Sequence, residues 1–138
     1  MIQKKTKRSS VSSASTVVAS VLFGAVLIAQ GTWTIPDGAN TEKNPLASTP
    51  DVLKHGESLY KSNCAGCHGP AGLGDGPNVD RKDRKNRPAN LAISRNPEGV
   101  VFYKAWNGRK DPDMPAFKSR MTKDEVWAVV AYVVSLRH

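Results

Sequence analysis

The chain has 138 residues, 39% of them apolar and 23% charged, which suits one small globular domain and excludes a multidomain enzyme. Its formal net charge is +8, yet after Gly31 sixteen Lys and Arg face twelve Asp and Glu, a surplus of only four. That excess fits an acidic partner surface and is too small to argue for nucleic-acid binding.

The first residues carry Lys4, Lys5, Lys7 and Arg8 with no acid among them. A Ser-rich stretch follows, and then the apolar run Val17 to Ala29, broken by Ser20 and Gly24. Charged region before apolar region is the order of a secretory signal. The run is shorter than the roughly 20 residues of a free-standing span. Ala29 and Gly31 supply small residues for cleavage before Thr32, so residues 1–31 read as a signal peptide. The alternative is an uncleaved N-terminal anchor stretched from Val11 to Ile35, with Trp33 at the membrane interface. In either reading the rest of the chain is exported: periplasmic, or held at the inner membrane with its domain outside the cytoplasm. Residues 32–50, with Pro36, Pro45 and Pro50 and little apolar periodicity, read as an extended linker. The folded domain then spans 51–138, small enough to need a metal, disulfide or cofactor as a staple.

Within that domain, Val52, Gly56, Tyr60 and Cys64 share one face of a helix that Asp51 would cap. Gly69 to Pro88 is a glycine-rich loop. Asn96-Pro97-Glu98 provides a cap, a first-turn proline and an acid for a second helix through Trp106, which Gly108 would end. Pro112 and Pro115 lie in a further loop. Thr122-Lys-Asp-Glu125 is a capping box, Met121 and Val126 form a hydrophobic staple, and the final helix runs to Leu136. No alternating run is long enough for a sheet, so the expected fold is all-α, three to four helices with long loops. Loops of such length in so small a domain usually enclose something.

Two cysteines are too few for a disulfide scaffold, and their spacing in Cys64-Ala65-Gly66-Cys67-His68 points to chemistry at one spot. Residues i and i+3 put both thiols on one side of a helical turn, where they can form thioethers with neighbouring vinyl groups of one haem, and His68 then comes under the iron. A thioredoxin-like pair would need a βαβ context that is missing. A zinc site would need a further ligand from His55 or His138, and a plain disulfide would not require His68. Haem c attachment also supplies the staple that the domain's size calls for.

Over residues 51–138 the chain resembles the class I c-type cytochromes, and in particular exported bacterial monohaem members. The likeness rests on Gly56-x-x-x-Tyr60-x-x-x-Cys64, the Cys64–Gly69 motif, Gly72-x-Gly74-x-Gly76-Pro77, Asp113-Met114-Pro115-Ala116-Phe117 and Val129-x-x-Tyr132-Val133, all in family order. Trp33-x-Ile35-Pro36 and Asn44-Pro45 are similar to the lead-in of such proteins. The resemblance implies a small class I cytochrome c fold around one covalent haem, with the first and last helices crossing at Gly56 beside Tyr60 and Tyr132. It assigns His68 and Met114 as iron ligands, Cys64 and Cys67 as attachment points, and Pro77 as the residue whose carbonyl accepts the His68 Nδ1 proton. A core-filling Met114 and an ordinary turn proline at 77 are the alternatives. Arg109-Lys110-Asp111-Pro112 makes the approach to Met114 longer and more charged than the compact family form. Trp106, Phe117, Tyr103 and Leu91 read as core or haem-wall residues, and His55 as a surface residue.

The activity implied is single-electron transfer between exported or membrane redox partners, by an electron carrier and not an enzyme in its own right. A haem subunit of a larger oxidoreductase is the alternative, to be told apart by copurification; a haem ligand sensor would require Met114 to leave the iron. Arg81, Lys82, Arg84, Lys85 and Arg87, with Asp83 among them, could steer an acidic redox partner, with Arg87 near a haem propionate, or be a solvated loop. No aromatic residue is interleaved with these cations, and nucleic acid is not an expected partner. A membrane is one only if the N-terminal segment is uncleaved.

Overall fold

The computed structural model describes residues 33–84, 86–110 and 113–138; the expected export or anchor segment, 1–31, lies outside them. The elements are α1 (Asp37–Thr41), α2 (Pro50–Asn63), α3 (Ala65–His68), α4 (Glu98–Asn107), β1 (Arg109–Lys110), β2 (Asp113–Met114) and α5 (Lys123–Ser135). The fold is all-α, as expected, but the described residues hold five helices where three to four were expected, and they add a two-stranded piece: β1 and β2 pair antiparallel, Arg109 opposite Met114 and Lys110 opposite Asp113. Among the described residues no helix is long and apolar enough to cross a membrane.

Local chemistry sets where the helices begin. Proline has no N–H to leave unsatisfied and suits the first helical position, so α2 starts at Pro50. Its cap is Thr49, whose Oγ1 accepts from Val52 N at 3.3 Å, and not the expected Asp51, which becomes a first-turn acid beside the positive end of the helix. The second helix starts one residue later than expected, with Pro97 and not Asn96 at the cap, and Gly108 ends it. At α5 the capping box is present in full: Glu125 N donates to Thr122 Oγ1 at 3.2 Å and Thr122 N to Glu125 Oε2 at 2.7 Å.

α5 is the central helix, buried from Val126 through Ala131. On one side Phe102 of α4 stacks on Trp127, ring centroids 4.2 Å apart, and Trp106 stacks behind Phe102 at 5.7 Å. On the other side α2 crosses α5 at Gly56, where a Cβ would run into the Ala128 carbonyl and stand 3.2 Å from Tyr132 Cβ. The Tyr60 and Tyr132 rings meet beside this crossing at 5.3 Å. The expected crossing at Gly56 is thus present. Backbone cannot yield as a flexible side chain does, so Gly56→Ala is expected to cost about 2–4 kcal/mol by forcing the helices apart. The guanidinium midpoint of the holoprotein reads this; an unshifted midpoint would mean that the crossing carries little of the stability.

Residues 33–49, expected as an extended linker, are a correction. They include α1, and Ala39 is buried against Gly99 of α4. Asn44 Nδ2 donates to Trp127 O at 2.9 Å. The stretch holds by isolated contacts on α4 and α5, among them Leu46 packed on the Phe102–Trp127 cluster, and such contacts leave no periodic apolar pattern.

Candidate haem site

The Cys64–His68 segment is a tight joint between α2 and α3. Cys64 N donates to Tyr60 O at 2.8 Å and closes α2, while Cys67 N and His68 N both donate to Cys64 O, at 3.1 and 2.9 Å, and open the next turn. The glycine-rich loop folds back on this turn and satisfies its free carbonyls: Gly74 N to His68 O at 2.8 Å, Gly76 N to Cys67 O at 3.1 Å, and Asn78 N to Gly66 O at 2.8 Å. Tyr60, fully buried, donates its hydroxyl to Gly69 O at 2.7 Å, and burial raises its phenol well above the ordinary range.

A crevice of about 460 Å³ opens beside the joint, within the range of about 300–1,000 Å³ that small-molecule and cofactor sites occupy. Its apolar walls come from Val101 and Ala105 of α4, Val129, Val130 and Val133 of α5, and Phe117 and Leu91. Cys64, Cys67, His68 and Met114 all line it, so the structure brings four of the five expected site residues to one cavity. Of the expected wall residues, Leu91 and Phe117 face the crevice, and Trp106 belongs to the aromatic stack behind it.

Pro77 is the correction. His68 Nδ1 stands 3.1 Å from the carbonyl of Ala89, and the crevice lining does not include Pro77. Gly76 and Asn78 are both tied to the Cys64–His68 turn, which commits the backbone on either side of Pro77 to that turn. The residue missed was therefore Ala89. A backbone carbonyl has no side-chain signature, although Asn90 beside it makes a local turn by accepting from Ala92 N at 3.0 Å.

A carbonyl can only accept, so Nδ1 carries the imidazole proton and Nε2 keeps its lone pair. Burial lowers the His68 pKa, against the Ala89 bond, and favours this neutral ligand form. Both cysteines are free; burial, and then the neighbouring Cys67, pushes the Cys64 thiol up to about 12, while Cys67 is exposed. Among the described residues no three His, Cys, Asp or Glu side chains gather into a metal cluster, and His55 is exposed, which removes the zinc arrangement. Two thiols, one unprotonated imidazole nitrogen and a thioether around an apolar cavity do fit a covalently attached haem.

Residues 53–137 match the cytochrome c family. The chain is 30% identical over 82 residues to cytochrome c6 of Parathermosynechococcus lividus, taking in 59% of this chain and 87% of that one. It is 32% identical over 84 residues to cytochrome c6 of Bumilleriopsis filiformis, with 60% and 90% covered, and 33% identical over 84 residues to that of Pyropia tenera, with 60% and 91% covered. The matched stretch contains the cysteine pair, the crevice walls from α4 and α5 and the β1–β2 loop, and on it this chain belongs to the cytochrome c family: an electron carrier whose cofactor is covalently bound haem c.

Proposed function

We propose that this protein passes single electrons between exported redox partners through a haem fixed by Cys64 and Cys67 and ligated by His68 and Met114. The observation that carries this reading is the His68 ring, with Nδ1 committed to Ala89 O, lining one apolar crevice with both cysteines and Met114. When bound, the haem supplies an iron that gains and loses one electron. Cys64 and Cys67, both free thiols lining the crevice, would hold the haem by thioether bonds, which would make the attachment permanent. Ala89 holds the imidazole in the tautomer and orientation that presents Nε2. Met114 presents a soft, neutral sulfur, and a site filled by His and Met leaves no position for a substrate. The valines of α4 and α5 keep water from the crevice, so the surroundings rearrange little between oxidation states.

The basic leader followed by an apolar run supports export, the condition under which c-type haem is attached. Arg81, Lys82, Arg84 and Arg87 are exposed, Arg87 at the crevice lining itself, and suit a partner with an acidic docking face. Oxidised and reduced spectra of protein from a host competent in cytochrome maturation test the reading, together with pyridine haemochrome analysis. One haem per chain bound through two thioethers is the expected result, with no carbon monoxide binding to the reduced form at neutral pH. Ready carbon monoxide binding would instead indicate an open sixth position and a ligand-binding role.

A further inference from the structure

The segment before α2 reaches the crevice. It is anchored first on α4: Gly99 lies under α1, where an added Cβ would run into the Ala39 carbonyl and stand 2.6 Å from Glu42 Cβ. It is anchored next by Asn44, which donates its side-chain amide to Trp127 O at 2.9 Å and its backbone N–H to Glu98 Oε2 at 3.3 Å. At the start of the segment, Trp33 is half-buried and forms part of the crevice lining. Its ring meets two cations, with Lys104 Nζ 5.5 Å and Arg109 Cζ 4.9 Å from the centroid. Arg109 is also the β1 residue that pairs with Met114 of β2.

We propose that Trp33 is a latch for the Met114 loop: by gripping Arg109 it holds β1–β2 against the crevice, which makes residues 33–46 a clasp that positions the sixth ligand. Trp33 is a positioning residue, acting on the ligand through Arg109, and the proposal rests on the reading of Met114 as that ligand. Indole has the strongest π face among the side chains, and its attraction for a cation rises as water is excluded. Lys104 and Arg109 crowd one another here; burial, and then the charge of Arg109, lowers the Lys104 pKa. A shared aromatic face offsets that repulsion, and removing it loosens one of the contacts that hold Arg109, and with it β1, in place. The clasp lies outside the family match, which begins at residue 53, so it is built onto the family core at the loop that bears Met114.

The test is imidazole titration of the ferric holoprotein, because imidazole binds the iron only by displacing Met114. Two cation–π contacts in a half-buried setting amount to roughly a tenfold effect on an equilibrium. Trp33→Ala is therefore expected to bind imidazole about tenfold more tightly than the parent protein. Trp33→Phe keeps an aromatic face and should fall close to the parent. Met114→Ala should bind most tightly of all. If Trp33→Ala matches the parent while Met114→Ala binds more tightly, the latch is wrong and the ligand reading stands. Equal gains in Trp33→Ala and Trp33→Phe would show that the aromatic face is not the grip, and overturn the latch. Should Met114→Ala bind no more tightly than the parent, the ligand reading falls and the latch with it.

Discussion

Replacing Cys64 and Cys67 together by alanine is expected to give a colourless chain that loses most of its helix signal near room temperature. The reason lies in what the crevice would cost if nothing filled it. Its walls are valines from α4 and α5, with Phe117 and Leu91, and it measures about 460 Å³. Left unfilled, the crevice would show these apolar side chains to water, and each Val, Leu or Phe exposed in place of being buried costs about 1.5–3 kcal/mol. The whole stability of a domain is only about 5–15 kcal/mol. The rest of the core is two small clusters, Phe102, Phe117, Val126, Trp127 and Val130 on one side of α5 and Tyr60, Val129 and Val133 on the other; both border the crevice through Phe117, Val129, Val130 and Val133, so without the covalent filling the crevice collapses or the helices part. Circular dichroism and thermal melting of the double variant, expressed with the maturation machinery, check this. A colourless variant that still melted cooperatively with parental helicity would show that α2, α4 and α5 hold together unaided.

Residues whose side chains carry the chemistry announced themselves. The Thr122–Glu125 box and the glycine at the α2–α5 crossing each have one dominant physical use, and the structure shows both in it, while the Cys64–His68 turn lines the apolar crevice. Misreadings arose where backbone or a single contact decides. The partner of His68 is the carbonyl of Ala89, which any residue could supply, and the resemblance pointed to Pro77 instead. The start of α2 was misread because Asp51 is a good cap in isolation, although Thr49-Pro50 had the better signature, a hydroxyl before a first-position proline. The clasp stayed hidden because three prolines and the absence of a repeating apolar face look like a linker. Its fastening points are a buried alanine, one asparagine, one leucine and one tryptophan, too scattered to make a face, and the complementary mark, Gly99, lies far along the chain in α4.

Met114→Ala is expected to keep covalent haem, lower the reduction potential by on the order of 100 mV or more, and let carbon monoxide bind the reduced form. The fold should survive, because the loop around Met114 is held by backbone and not by the thioether. Phe117 N donates to Ala105 O at 3.1 Å and Lys118 N to Trp106 O at 3.3 Å, which fastens the loop to the end of α4, and β1 pairs with β2 through main-chain atoms. Haem attachment should survive as well, because Cys64 and Cys67 lie on the far side of the sequence from the change. What is lost is a soft, neutral sulfur, which favours ferrous over ferric iron; removing it weakens the reduced state more than the oxidised one, so the potential falls. For a one-electron couple about 59 mV corresponds to a tenfold change in that balance, so the expected shift is well within reach of a redox titration. An unchanged potential and spectrum in the variant would take Met114 off the iron and leave it a wall residue of the crevice. A lower potential without carbon monoxide binding would mean that another side chain had moved in, and among the lining groups Lys104 carries the nitrogen best suited to do so, being half-buried and held below its usual pKa.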